Sequence, residues 1–169
     1  METRSLYLRV APVALFFLLS ACAIPGTPRH SLAELKSALL NHDADRALKY
    51  VDVDSIVNHM VEDGLRAKEL TVKTDLDALG LALGRSIASA ILPQAALFVR
   101  QGVIAAIESD DQLGYFFQIR KASVWYFTIE EKGSTAVVTP RGDDKVQFKM
   151  ERTDQGYWRI TELILKDSK

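Results

Sequence analysis

The sequence predicts an α+β protein, with N-terminal helices followed by a C-terminal four-stranded antiparallel β-meander. Three observations lead there. Apolar residues between Leu32 and Ile107 recur every three or four positions, from Lys121 onward they alternate, and glycine-containing connections of about four residues separate the alternating runs. Connections that short join antiparallel neighbours in chain order. With 169 residues, 48% of them apolar, the chain can build one core and is too apolar for a disordered protein. Its 21 Lys+Arg against 22 Asp+Glu leave no basic excess to displace counterions from nucleic-acid phosphates.

Residues 1–22 place Arg4 and Arg9 before the apolar run Val10–Leu19, and Ser20-Ala21-Cys22 after it. A helix of that run would measure roughly 15 Å, half of a ~30 Å hydrocarbon core, which suits an export signal better than a permanent span. The tetrad Leu19-Ser20-Ala21-Cys22 resembles the lipobox of bacterial lipoproteins. That resemblance implies a signal peptide over residues 1–21, cleavage between Ala21 and Cys22, a diacylglyceryl thioether on Cys22 and acylation of the new amine. Two or three acyl chains anchor stably where one does not. The alternative is a buried core cysteine in a plain secreted protein, but the chain's single cysteine falls where the lipobox requires it. Ala23, where inner-membrane retention favours Asp, implies a lipid-anchored protein of the cell envelope on the outer membrane, facing the periplasm. Residues 22–30, with Pro25, Gly26 and Pro28, read as a lipidated tether, and residues 31–169 as a single domain with helices over about 31–110 and the sheet over about 121–166.

Within the helical part, Ser31 and Glu34 form the pattern of a capping box ahead of Leu32, Leu35, Ala38 and Leu39, and the helix should stop near Asn41-His42. Asp43 is placed to cap a short second helix carrying Ala47 and Leu48. Asp54 is placed to cap a third, with Ile56, Val57, Met60, Val61 and Leu65 on a narrow apolar stripe. Thr74 with Asp77 predicts another cap. From Leu76 to Ile107 the chain is the most apolar of the processed protein, but its longest uncharged run, Ser86–Val99, is too short for a span and contains Pro93. The prediction is two buried helices broken at Pro93. Gly80, Ala82, Gly84 and Ala88 are small enough for another backbone to approach closely, or to leave room for a ligand.

The strand signals follow in order. Val124–Ile129 alternates, Glu131–Ser134 turns, Thr135–Thr139 is a short strand that Pro140 ends, and Arg141–Asp144 turns again. Val146, Phe148 and Met150 then share one face, and Thr153–Gly156 leads into Tyr157–Leu165. Val146, Phe148, Trp158 and Ile160 are the expected contact face for the helices.

Two segments carry a second resemblance. Leu35–Asp45, with its Asn41-His-Asp-Ala-Asp45 turn, and Lys49–Ser55 resemble the start of an uncharacterised family of small exported bacterial proteins. Gly156-Tyr-Trp-Arg-Ile-Thr161 is similar to the last strand of nuclear-transport-factor-like (cystatin-like) α+β domains. The resemblance implies a cystatin-like sheet and no particular chemistry.

Candidate sites are few. His42, Asp43, Asp45, Asp52, Asp54 and His59 lie close in sequence, but caps account for Asp43 and Asp54, and no metal or cofactor is expected. No Gly-x-Ser-x-Gly elbow or phosphate-binding glycine pattern occurs, and Cys22 is assigned to lipid. Arg141-Gly-Asp143 reads as turn chemistry. The expectation is a non-catalytic protein that binds a protein partner or an apolar ligand near the membrane. One alternative is a carrier of a lipid or other apolar molecule, with a pocket lined by Leu79, Leu83, Ile87, Ile91, Leu97, Val103, Trp158 and Ile160. The other is a small hydrolase or isomerase using a pocket carboxylate, for which Glu162 is the candidate because it shares the alternation phase of Trp158, Ile160 and Ile164.

Overall fold

The structure, a computed structural model of the chain, describes residues 26–70, 73–109, 119–142 and 146–165. The lipobox, with Ala21 and Cys22, and residues 143–145 of the predicted second turn lie outside them. The elements are α1 (Pro28–Leu40), α2 (Ala44–Leu48), α3 (Val53–Glu69), α4 (Asp75–Glu108), a 3₁₀ turn (Val124–Tyr126), and strands β1 (Phe127–Lys132), β2 (Thr135–Pro140), β3 (Val146–Arg152) and β4 (Trp158–Leu165). The strands pair antiparallel in the order β1-β2-β3-β4. This is the α+β meander that the change of period predicts.

Helix α1 starts earlier than the Ser31 pattern suggests. Thr27 is the cap, its hydroxyl accepting from the His30 N–H, and Pro28 occupies the first turn, where its missing N–H costs nothing. Ser31 lies inside the helix, fully buried, and its hydroxyl accepts from the Trp158 backbone N–H at 2.9 Å. Trp158 also donates its indole N–H to the Gly26 carbonyl at 2.8 Å. Asn41 ends α1, and His42 follows in the left-handed region at φ 54°, so that the Asp43 N–H reaches back to the Ala38 carbonyl. Asp43 caps α2 as expected.

Asp52, rather than Asp54, caps α3, accepting from the Ser55 N–H. The residues ahead of that cap do a second job. The Asp52 N–H donates to the Ile160 carbonyl, the Ile160 N–H donates to the Tyr50 carbonyl, and Val51 forms a parallel bridge to Ile160. The free edge of β4 is thereby capped at Ile160 by Tyr50–Asp52.

The inner face of the sheet presents Phe127, Val138, Phe148, Met150, Trp158 and Ile160, all at most 2% exposed, to Leu32, Leu35, Ala38 and Leu39 of α1 and to Val53, Ile56 and Val57 of α3. Val124–Tyr126, expected as strand, is a 3₁₀ turn. Ser123 caps it, and the Arg29 guanidinium holds it by donating to the Val124 carbonyl at 2.6 Å while stacking 4.7 Å over the Trp125 ring. The β1–β2 turn uses Gly133 at φ 66°, a conformation that a side chain would disfavour.

The largest departure is α4. The predicted pair of buried helices is one continuous 34-residue helix running through Pro93, opened by a full Thr74–Asp77 capping box. Its principal neighbours are α3 and α2 rather than the sheet. Arg85 meets Glu69 at 2.9 Å and Arg100 meets Asp54 at 2.7 Å, so α3 and α4 run antiparallel as a hairpin. Because α3 lies between β4 and α4, only Ala96 and Ile107 of α4 are fully buried. Pro93 is exposed, and its ring faces solvent instead of a packed neighbour.

Candidate functional site

The eight residues expected to line an apolar pocket are not gathered around one. Trp158 and Ile160 are sealed in the sheet core, whereas Leu79, Leu83, Ile87, Ile91 and Leu97 are each more than half exposed on α4, and Val103 is half-buried. The physical reason is the extra layer: α3 takes the place against β4 that the pocket reading gave to α4.

What these residues form instead is an exposed apolar surface. Leu76, Leu79, Leu83, Ile87, Ile91 and Phe98 are all at least 56% exposed and follow one another at spacings of three, four and seven residues, which keeps them on one side of a helix. The opposite side of α4, including Leu92, Ala95 and Val103, packs inward. Arg85, the only charge between Asp77 and Arg100, is turned aside to Glu69. By length and composition alone α4 is long and apolar enough to cross a membrane, and little of its most apolar stretch is buried. Of the small residues, Gly84 and Ala88 are half-buried and Gly80 and Ala82 exposed. A Cβ built at Gly80 or Gly84 would meet nothing within 4 Å, so neither glycine is required by the contact with α3.

The acid of interest, Glu162, is on the other side of the sheet. Lys149 pairs with Glu162 and Met150 with Ile160, leaving Thr161 as an extra residue in β4. This bulge inverts the alternation after Ile160, so Glu162 turns away from the Trp158 and Ile160 face. Its carboxylate lies 3.6 Å from the Lys149 ammonium, which also meets Glu151 at 3.2 Å. The Lys149 ammonium is held above the ordinary lysine value, first by its hydrogen bond to Glu151, then by the charges of Glu151 and Glu162, while burial pulls the other way. Glu162 is thus ion-paired on the face of the sheet away from the helices, outside any apolar pocket shared with the core.

The six potential ligands near residues 42–59 are dispersed. Asp43 and Asp52 cap helices, Asp52 also pairs with Arg159 at 3.1 Å, and Asp54 pairs with Arg100. His42 places Nδ1 2.8 Å from the Ile107 carbonyl, so that nitrogen carries the proton and donates to a carbonyl in the last turn of α4. Among the described residues, no group of three or more His, Cys, Asp or Glu side chains is gathered to hold a metal. At the other end of the hairpin, a shallow cleft of about 240 Å³ is lined by Glu62, Leu65, Arg66, Glu69 and Arg85. Its acids and guanidinium groups largely neutralise one another.

Several structural side chains escaped the sequence. The Thr27-Pro28 pair was a readable helix start. Nothing local marked Ser31 as the partner of Trp158, or Thr161 as a bulge.

The fold and its exposed helix define an α+β protein whose sheet is covered on one face by α1 and α3 and which carries a long apolar helix outside that core. No protein-family model, no curated protein and no solved structure matches the chain.

Proposed function

We propose that the chain is a lipid-anchored, non-catalytic protein of the bacterial cell envelope that works by contact, through the exposed side of α4. The observation that carries the binding half is the uncharged surface formed by Leu76, Leu79, Leu83, Ile87, Ile91 and Phe98, because exposed apolar area of this extent on a helix marks an interaction surface. The anchoring half is supported by the tetrad Leu19-Ser20-Ala21-Cys22. Gly26, held by the Trp158 indole, stands only four residues after Cys22. Four extended residues reach at most about 14 Å, so acyl chains on Cys22 would hold the folded domain against the bilayer surface. The reading places it on the outer membrane, facing the periplasm, with no cofactor.

Metabolic palmitate labelling tests it. The wild-type chain should take up label and fractionate with membrane, and Cys22→Ala should lose the label and enter the soluble envelope fraction. A natural product that keeps its first methionine and carries no acyl mass overturns the proposal.

A further inference from the structure

We infer that the exposed side of α4 is covered by the same surface of a second copy of this chain, the two helices lying antiparallel across a two-fold axis at Ile87. The inference deepens the contact half of the proposed function and rests on that half alone.

Extent is the first argument. The six side chains named above, with Leu97 beside them, offer an apolar area on the order of 800 Å², beyond the ~300–600 Å² of a monomer's largest patch. That is also about what each partner contributes to a standard stable interface.

Symmetry is the second. Leu83 and Ile91 stand four residues either side of Ile87, and Leu76 and Phe98 stand eleven either side. At about 100° per residue, both separations return close to the same side of the helix. A two-fold axis through Ile87 therefore sets Leu83 of one copy against Ile91 of the other, and Leu76 against Phe98. A closed dimer requires this kind of self-complementary patch.

Charge is the third. The surface has acids at one end, Asp75 and Asp77, while Arg85 and Arg100 are both drawn off to α3, by Glu69 and Asp54. Parallel pairing would set the acidic ends of the two helices against each other, whereas antiparallel pairing keeps them apart.

A bilayer is the poorer occupant. Crossing it would carry Glu62, Asp63 and Arg66 of α3 into hydrocarbon, because α3 is fixed alongside α4 by the Arg85–Glu69 and Arg100–Asp54 pairs. Lying in its surface ordinarily uses a helix rich in Lys and Arg on the polar side, and between Asp77 and Arg100 this one carries Arg85 alone.

The test is cysteine cross-linking of the full chain in intact cells with a short bis-maleimide, in both the Cys22 and the Cys22→Ala backgrounds. Ile87→Cys should shift to twice the monomer mass in both, while Glu130→Cys on β1 should stay monomeric. Adding Leu83→Glu to Ile87→Cys should abolish the dimer, with undiminished protease resistance showing that the domain still folds. A monomeric Ile87→Cys, or equal cross-linking of Glu130→Cys, overturns the inference. So does an Ile87→Cys thiol that reacts with lipid-soluble but not water-soluble maleimides, which assigns the surface to the bilayer. Failure of anchoring is read separately, from fractionation of the chain with Cys22 intact.

Discussion

Glu162 and Lys149 face each other across β4 and β3 at 3.6 Å, on the side of the sheet away from the helices, because the one extra residue Thr161 turns Glu162 out of the core's phase. Thr161 itself is buried, and among the described residues its hydroxyl has no hydrogen-bond partner. Thr161→Val keeps the shape and removes an unsatisfied polar atom. It should raise unfolding stability by about 1 kcal/mol, read from the urea midpoint at unchanged slope.

The Lys149 cluster sets a pH dependence. The folded value lies above the ordinary 10.5, so the cluster's contribution is fully present below 10.5 and is lost as pH rises through the folded value. Stability should fall on the alkaline side of 10.5, and Lys149→Met should flatten that limb of a denaturation-against-pH profile.

Ser31→Ala strands the buried Trp158 N–H, which has the Ser31 hydroxyl as its partner at 2.9 Å. The expected loss is about 1–3 kcal/mol in urea unfolding, with no change in membrane fractionation.

Pro93 interrupts the hydrogen-bond ladder of an exposed helix without turning its path into two helices. Pro93→Ala restores a bond to the Ser89 carbonyl and should raise the melting temperature, by an amount corresponding to about 1–3 kcal/mol. A lowered melting temperature would show that Pro93 helps α4 to pack along α3.

What could be read from the linear chain was whatever depends on near neighbours. The change of period, the Asp43 and Thr74–Asp77 caps and the glycine turns marked helices first, then four strands in meander order, though not the 3₁₀ turn at Val124–Tyr126 or the continuity of α4, since caps, turns and periodicity act within a few residues. The lipobox is likewise local, and with it the expectation for Cys22. What needed the folded molecule was anything that depends on which surface meets which. Leu83 and Ile160 are equally apolar in the sequence, yet α3 seals Ile160 against the core and keeps α4, with Leu83, one layer out. Glu162 was assigned to the core's side of β4 by an alternation that a single bulged residue inverts, and hydrophobicity alone carries no sign of where a strand gains that residue.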